Sequence, residues 1–303
     1  MTAEPANRSR EWTLGQLLEW TRDYLARNGV SDPRLSAEVL LAHAAECRRI
    51  DLYTRFERIL NGPRIDQFRE WVRRAGRHEP IAYLVGEKEF FSLLFHVSRE
   101  VLIPRPETEV LVECALKRCR EIVEAHPTIL DVGTGTGCIP ISVLTHAADA
   151  RVVASDISAA ALELARTNMI RHGVADRMTL VVADRLDIPS EVVPARGFDL
   201  IVSNPPYVPA ADYQKLAETV RHFEPPSSIT DGDDGLSFYR SLVQSAGPLL
   251  ADNGIVLVEI ADGAADSVLK TFAQTGEWEH RETVKDRTVG QARVLTFSRQ
   301  GRR

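Results

Sequence analysis

Apolar residues recur at helical spacing through the first quarter of the chain. Leu14, Leu17, Leu18 and Leu25 fall on one face of a helix, with polar residues between them. Similar stripes follow, so four helices are predicted here: one after Thr13 that ends at Asn28-Gly29, one that begins at Asp32-Pro33, one near 48–57 and one near 64–77. The pattern predicts a helical bundle as the N-terminal domain, over residues 1–85.

Two of these helices carry capping signals at their N-termini. Thr13 and Gln16 have the spacing of a capping box, in which each side chain accepts a hydrogen bond from the other residue's backbone N–H. Asp32 stands directly before Pro33, which places a capping acid ahead of a proline in the first helical turn. Both signals predict the residue at which a helix begins.

The spacing changes from helical to alternating near residue 86. The segments 87–92 and 94–98 are typical of two short strands separated by a turn, which predicts a hairpin. A hairpin between a helical region and the rest of the chain suits a connection between domains. We therefore expect residues 86–106 to form a bridge.

The second domain is predicted to open with a helix and to continue as alternating strands and helices. Pro106 is expected in the first turn of that helix, where Glu107 and Glu109 lie favourably near its positive end; the helix should end near residue 125. Seven strands follow, near 128–132, 151–155, 178–182, 198–203, 254–260, 279–284 and 292–298. The alternation predicts an α/β fold, with a doubly wound, mostly parallel seven-stranded sheet over residues 107–303.

Composition disfavours several classes of protein and of binding site for this chain. The chain has 303 residues, a hydrophobic fraction of 44% and a formal net charge of -6, and an acidic balance disfavours direct binding of nucleic acid. Its four cysteines are Cys47, Cys114, Cys119 and Cys138, none in a C-x-x-C pair and none beside a histidine cluster. Free thiols, no metal site, no membrane span and a cytoplasmic location are therefore expected. A monomer is expected as well.

A glycine loop follows the first strand of the predicted sheet. Its spacing is Gly133-x-Gly135-x-Gly137, which lets the backbone approach a ligand closely and turn into the next helix. The dinucleotide fingerprint would need glycine where Cys138 stands, which counts against a nicotinamide cofactor. No Gly-Lys-Ser/Thr follows, so the loop is not a Walker loop. The alternative interpretation is a tight turn without a ligand.

Acidic residues follow the next two strands, at the edge of the sheet where such folds bind ligands. Asp156 lies about 20 residues beyond the glycine loop, the position at which a carboxylate binds ribose hydroxyls. The alternative role for Asp156 is to cap the following helix, but Ser158 is better placed for capping. Asp184 can accept an adenine amino hydrogen and Arg185 can stack on the ring, unless the two form only a loop pair.

The segment Asn204-Pro205-Pro206-Tyr207 carries the strongest chemical signal. Two prolines cannot continue the strand 198–203, so they force a stiff loop at its carboxyl end. There the Asn204 oxygen and the Pro205 carbonyl can each accept one N–H of a planar NH₂ group, which aims the nitrogen lone pair at a sulfonium methyl group. Tyr207 can pack on the planar guest. This predicts methyl transfer to an amide or amine nitrogen; the alternative is a structural turn.

These motifs resemble the PrmC/HemK family, the peptide chain release factor glutamine methyltransferases. The resemblance covers most of the chain. It is carried by Gly29–His43, Pro80–Gly86 with Phe90, Ile103–Glu109, Asp131–Gly137, Asn204–Tyr207, Phe223–Pro225, Asp234–Leu236 and Tyr239-Arg240. The resemblance implies a methyltransferase sheet over residues 107–303 and a substrate-docking role for residues 1–85.

The resemblance also implies S-adenosylmethionine as the methyl donor, with no metal. On this hypothesis Asp156 binds the ribose, Asp184 and Arg185 flank the adenine, and Asn204 borders the donor. The methionine end is cradled by Gly133, Thr134, Gly135, Thr136 and Gly137.

The acceptor implied by the resemblance is the Gln of the Gly-Gly-Gln loop of class-I release factors, which would be the protein partner. Its amide is expected to be gripped by Asn204 and Pro205. The remaining substrate contacts are assigned to Pro206, Tyr207, Arg105 and Glu107. Asn204, Pro205 and Tyr207 are thus the expected catalytic residues.

Three alternatives stay open at this point. Adenine amino methylation in nucleic acid uses the same Asn-Pro-Pro-aromatic logic but needs a basic groove and a pocket for a flipped base. Glutamine methylation of a ribosomal protein is a second alternative, and an idle ligand-binding scaffold is a third. The chain departs from the family at Ala261–Asp266 and at Pro226–Ser228, which touch the loops around the expected pocket.

Overall fold

The computed structural model describes residues 11–122 and 126–300. These residues divide into two compact units. The first contains the described residues up to Gly86 together with Glu218–Phe223, and the second contains Glu87–Ala217 with the described residues from Glu224 onwards. The helix end predicted near residue 125 lies outside the described residues.

The first unit is a small helical bundle around a leucine-rich core, which confirms the predicted N-terminal bundle. Its elements are α1 (Leu14–Arg27), α2 (Pro33–Ala44), α3 (Asp51–Thr54), α4 (Pro63–Ala75), α5 (Ile81–Val85) and an antiparallel pair of β1 (Trp12–Thr13) with β2 (Ile59–Leu60). Leu14, Leu25 and Leu40 are fully buried together with Phe68. The helical stripes of the sequence are therefore the faces that form this core.

The two capping signals have different outcomes. The capping box is confirmed, because the Thr13 hydroxyl accepts a hydrogen bond from the Gln16 N–H and the Gln16 side chain accepts one from Thr13 N–H, both at 3.3 Å. The predicted cap at Asp32 is wrong, because its side chain makes no capping hydrogen bond. Asp32 has φ +47, in the left-handed region, whereas a capping side chain needs extended backbone at that residue.

The helix predicted near 48–57 is wrong in length. Only the single turn α3 forms there, and β2 follows it closely. Leu52 is the one buried residue of that segment, so a longer helix would gain no core contacts. A short isolated helix gains little from its own hydrogen bonds, and tertiary packing decides its length.

The second unit contains a seven-stranded sheet and a separate hairpin. Its strands are β3 (Glu87–Phe90), β4 (Leu93–His96), β5 (Thr128–Val132), β6 (Arg151–Asp156), β7 (Met178–Val182), β8 (Phe198–Ser203), β9 (Leu250–Glu259), β10 (Trp278–Lys285) and β11 (Ala292–Arg299). The helices from Glu109 onwards are α6 (Glu109–Glu121), α7 (Cys138–His146), α8 (Ala159–Arg171), α9 (Ala210–Tyr213), α10 (Glu218–Phe223, part of the first unit), α11 (Ser237–Ser245) and α12 (Ala265–Ala273).

The strand order places a crevice at the centre of the sheet. The order is β10-β11-β9-β8-β5-β6-β7, with parallel pairing from β9 through β7 and antiparallel pairing of β11 with both neighbours. This confirms the predicted mostly parallel sheet. From β5 the chain fills one side with β6 and β7 and then crosses to β8 and β9 on the other. Ligands bind at such a reversal, outside the carboxyl ends of the strands.

Both faces of the sheet are covered, so the central strand β8 is buried along its whole length. Leu200 packs in the layer that contains Leu111 of α6, whereas Ile201 packs in the layer that contains Leu242 of α11 and Phe272 of α12. Burial on both faces fixes the register of β8, and so it fixes the position of the loop that follows.

The predicted hairpin forms from β3 and β4, and the 3-10 turn Pro106–Thr108 leads into α6. The hairpin turn consists of Phe91 and Ser92, both at positive φ. Phe91 N–H donates to Glu109 Oε1 at 2.9 Å, which ties the turn to the start of α6. Across residues 11–122 and 126–300, no helix has both the length and the apolar character needed to cross a membrane.

Candidate functional site

A cleft of about 450 Å³ lies at the carboxyl ends of β5, β6, β7 and β8. Most of the residues singled out in the sequence border it: Arg105, Gly133, Thr134, Gly135, Thr136, Asp156, Asp184, Arg185, Asn204 and Pro206. Gly137, Pro205, Tyr207 and Glu107 are not among its lining residues. Residues from four strand ends thus meet at one place, as the parallel sheet requires.

The glycine loop has a backbone that side-chain-bearing residues rarely adopt. Gly133, Gly135 and Gly137 have φ of +77, +54 and +78. A Cβ at Gly133 or Gly135 would have no atom of the described residues beyond its chain neighbours within 4 Å, so conformation rather than crowding demands glycine there. At Gly137 a Cβ would also come 3.0 Å from Ile141 of α7. The loop therefore turns sharply and leaves its open side without side chains.

Asp156 at the end of β6 holds the glycine loop from the neighbouring strand. Its Oδ2 accepts a hydrogen bond from Gly135 N–H at 2.9 Å, and its Oδ1 accepts one from Ser158 N–H at 2.9 Å. The Ser158 hydroxyl accepts from Ala161 N–H, so Ser158 is the cap of α8, as predicted. A carboxylate oxygen can accept more than one hydrogen bond, so Asp156 keeps acceptor capacity toward the cleft.

Asp184 and Arg185 follow β7 as an exposed pair. The Asp184 side chain is 71% exposed, and its Oδ1 lies 4.0 Å from Arg185 Nε. Arg185 has φ +52 and makes a long contact of 3.5 Å with the Ser237 hydroxyl. Both residues line the cleft, where their exposed side chains can meet a ligand.

The Asn204 amide is held by a residue that sequence reasoning did not single out. Its Nδ2 donates to the Thr108 hydroxyl at 3.0 Å, whereas its Oδ1 accepts no hydrogen bond from the residues that the structure describes. Thr108 is 2% exposed and ends the turn that begins at Pro106. The position of Thr108 inside the Ile103–Glu109 motif was the only sequence signal for it.

Partly buried Tyr207 and fully buried Glu259 form a polar pair. The Tyr207 hydroxyl lies 3.4 Å from Glu259 Oε1, and the Tyr239 hydroxyl donates to the Glu259 backbone oxygen at 2.8 Å. Glu259 is fully buried at the end of β9, and burial raises the pKa of its carboxyl to about 7, while the Thr108 hydroxyl opposes that rise. Burial and the charge of Glu259 together raise the pKa of Tyr207, so its phenol stays protonated.

Gly235 lets its own loop pack closely against the backbone of Tyr207. It has φ +80, and a Cβ there would lie 2.5 Å from the Tyr207 carbonyl oxygen. The preceding Asp231 carboxylate accepts hydrogen bonds from the N–H groups of Asp233, Gly235 and Ser237. This loop therefore packs against the Asn204–Tyr207 segment and leads into α11.

The Ile103–Glu109 segment is anchored by a buried acid far along the chain. Glu224 is 4% exposed; its Oε2 accepts from Ile103 N–H at 3.1 Å and its Oε1 accepts from Arg105 Nη2 at 2.5 Å. Arg105 lines the cleft with its guanidinium already paired. Glu107 lies outside the cleft lining, and its charge raises the pKa of Glu259.

Replacing Glu224 with Ala should lower the free energy of unfolding by about 2–3 kcal/mol. The change leaves the buried N–H of Ile103 without its acceptor, while Arg105, which is 33% exposed, regains some hydration. Urea unfolding measures the loss, with Glu89→Ala on the exposed edge of β3 as the matched control. A loss no larger than that of the control would show that the pair does not stabilise the segment.

Two fully buried carboxyls should make the protein less stable as pH rises through neutrality. Burial raises the pKa of both Asp131 and Glu259 to about 7, above the values of the unfolded chain. Their stabilising contribution is complete below the unfolded pKa values and is lost as pH rises through the folded ones. The free energy of unfolding should thus fall by about 2–3 kcal/mol between pH 6 and pH 8.

Urea unfolding at the two pH values tests this dependence, with Asp131→Asn combined with Glu259→Gln as the non-titrating control. That double variant should show a flatter profile. Equal profiles in variant and parent would mean that other groups set the pH dependence.

Among the described residues, the remaining ionisable groups show neither a metal site nor a reactive thiol. Within the described ranges, no group of three or more His, Cys, Asp or Glu side chains could hold a metal ion. The four cysteines are free, as predicted. Burial raises the pKa of Cys114 and Cys119 to about 11 and that of Cys138 to about 12, so their thiols stay protonated and weakly nucleophilic.

The chain is similar to known proteins along nearly its whole length. Residues 16–86 match the PrmC N-terminal domain and residues 106–222 match the methyltransferase small domain. The chain is 39% identical to a release factor glutamine methyltransferase of Rhodopirellula baltica, covering 98% of this chain and 99% of that one. It is 41% identical to the protein of the same description from Geobacter sulfurreducens, covering 88% and 90%.

A solved structure supports the fold on its own. The hMettl16 catalytic domain aligns with a TM-score of 0.53 at 15% identity, covering 69% of this chain and 76% of that chain. A likeness at this identity shows the shared arrangement of sheet and helices. It carries no information about the substrate.

Proposed function

Because the chain belongs to the release factor glutamine methyltransferase family, we propose that it methylates the side-chain amide nitrogen of the Gln in the Gly-Gly-Gln loop of class-I release factors. The observation that carries the proposal is the Asn204 amide, whose nitrogen is bound to Thr108. This leaves its oxygen as an acceptor at a cleft bordered by the glycine loop. An acceptor so placed suits a substrate NH₂ group.

The cleft fits S-adenosylmethionine as the methyl donor. At Gly133 and Gly135 the glycine loop offers backbone with no described atom crowding the Cβ position, and Asp156 retains acceptor capacity for ribose hydroxyls. Asp184 and Arg185 are placed to flank the adenine. When bound, S-adenosylmethionine would supply an electrophilic methyl group, with its sulfur as the leaving atom.

The protein's own contribution is to position the acceptor nitrogen. Asn204 Oδ1 and the Pro205 carbonyl each accept one N–H of the substrate amide, which fixes its plane and aims the nitrogen lone pair. Positive charge grows on the nitrogen as its bond to the methyl group forms, so both N–H groups become better donors. The two hydrogen bonds therefore strengthen in the transition state. The nitrogen afterwards releases one proton to solvent.

Other parts of the molecule are assigned supporting roles in this proposal. Arg105 and Glu107 border the entry of the substrate, while Pro206 and Tyr207 pack around its amide. The helical region 1–85 docks the release factor, residues 86–106 connect the domains, and 107–303 bind the donor. A monomeric state, a cytoplasmic location and no direct contact with nucleic acid remain predictions.

Methyl transfer from labelled S-adenosylmethionine tests the proposal. The acceptors are a purified release factor, the same factor with its loop Gln changed to Ala, and duplex DNA. Label on the unaltered factor alone is expected. Label on the Gln→Ala factor would place the acceptor elsewhere, and label on DNA would replace the proposal with nucleic-acid methylation.

A further inference from the structure

The shape of an Asn side chain does not decide which end of its amide faces a ligand. The oxygen and the NH₂ group occupy nearly the same volume, so their hydrogen-bond partners determine the orientation. For Asn204 the partner is Thr108, whose hydroxyl accepts from Nδ2 at 3.0 Å. The orientation of Asn204 thus depends on Thr108 having a free lone pair and its hydrogen directed elsewhere.

Glu259 is the group that can take that hydrogen. Its carboxyl is fully buried, and its Oε2 has no hydrogen-bond partner among the described residues. The Thr108 hydroxyl favours the ionised form of this carboxyl and so opposes the rise in its pKa. An ionised carboxylate can only accept, so it holds Thr108 as a donor toward itself and as an acceptor toward Asn204.

We propose that Thr108 and Glu259 are positioning residues that fix the Asn204 amide with its oxygen facing the cleft. The inference rests on the proposed function, in which that oxygen accepts an N–H of the substrate. The three residues come from the turn before α6, the end of β9 and the loop after β8. They form one hydrogen-bond relay between segments that lie far apart in the sequence.

The relay reverses when Glu259 takes up a proton. A protonated carboxyl can donate to the Thr108 hydroxyl, which frees the Thr108 hydrogen to point at Asn204. The Asn204 amide is then satisfied with its oxygen toward Thr108 and its NH₂ group toward the cleft. That arrangement offers donors to a substrate NH₂ group and cannot hold it.

The groups around Glu259 place this change near neutral pH. Burial raises its pKa to about 7, and the nearby charge of Glu107 acts in the same direction. Thr108, the buried Arg293 of β11 and the Tyr207 hydroxyl favour the ionised form. Tyr239 binds the backbone oxygen of Glu259 rather than its carboxyl. Turnover should therefore rise as pH increases through about 7.

Thr108→Val removes the hydroxyl while keeping the shape of the side chain. The turnover number on release factor should fall about 10- to 100-fold, while the affinity for S-adenosylmethionine changes less than about twofold. Thr108→Ser restores the hydroxyl and should recover most of the turnover. Glu259→Gln cannot ionise, so its turnover should lose the rise near pH 7.

The side-chain NH₂ signal of Asn204 in nitrogen-15 NMR spectra provides a readout that needs no substrate. The signal is identified by its absence in Asn204→Ala. It should move in Thr108→Val, return toward its original position in Thr108→Ser, and titrate near pH 7 in the parent but not in Glu259→Gln. The titration of the parent needs no variant, so it remains informative if one of them fails to fold.

The outcomes separate the relay from the proposed function. A parent that methylates the factor, with Thr108→Val turning over equally fast, would overturn the relay alone. An Asn204 signal that ignores both Thr108→Val and pH would overturn it as well. A parent that does not methylate the factor, but whose Asn204 signal responds as described, would support the relay and refute the assigned reaction.

Discussion

Asn204→Ala should reduce methyl transfer to the release factor by at least about 100- to 1,000-fold. The substitution removes the oxygen that accepts one N–H of the substrate amide. That hydrogen bond strengthens as the nitrogen becomes positive. Its loss should therefore lower the turnover number and not only weaken substrate binding. Single-turnover measurements with labelled donor and purified factor give the rate of the chemical step.

The affinity for S-adenosylmethionine, measured by calorimetry, should stay within a few fold of the parent. Asn253→Ala is the matched control, because Asn253 is exposed and lies in the first half of β9, away from its carboxyl end. The control should methylate at the parental rate. Equal rates in Asn204→Ala and the parent would sink the two-acceptor mechanism.

Asp156→Ala should weaken the binding of S-adenosylmethionine by about 10- to 100-fold. Two effects combine in this change. The carboxylate loses its acceptors for the ribose hydroxyls, and Gly135 N–H loses the hydrogen bond of 2.9 Å that ties the glycine loop to β6. Isothermal calorimetry measures the affinity directly, without a methyl acceptor.

Asp187→Ala provides the control for this second prediction. Asp187 is an exposed acid beyond β7 that lies outside the cleft lining, so its loss should leave the affinity unchanged. Thermal unfolding of both variants shows whether either change disturbs the fold. Unchanged affinity in a folded Asp156→Ala protein would remove the ribose role of this carboxylate.

Both predictions act on residues that the sheet brings together. β5 and β8 are adjacent parallel strands, so the glycine loop and the Asn204–Tyr207 segment leave the sheet side by side. The pairing of the two strands sets the separation of the loops. A rigid sheet buried on both faces gives the small tolerance that methyl transfer needs, since reacting atoms must be held in near-attack geometry.

The sequence by itself determined the elements and the local chemistry of this protein. Glycines at 133, 135 and 137 predicted a close-approach turn, because few other residues adopt positive φ. Two prolines after β8 predicted a stiff loop, because proline cannot pair within a sheet. The alternation of strand and helix patterns along the chain predicted the parallel sheet. These properties belong to individual residues or their spacing, so they can be read without the fold.

Only the tertiary structure decided which side chains meet. Thr108 and Asn204 are 96 residues apart, and Arg105 and Glu224 are 119 apart. Their hydrogen bonds depend on strand order and side-chain direction, which residue spacing does not contain. Packing also limited the predicted third helix to one turn. The left-handed backbone at Asp32 prevents its side chain from capping α2. Local preferences are small in free energy, whereas burial in the assembled core is large, so the assembled fold settles such cases.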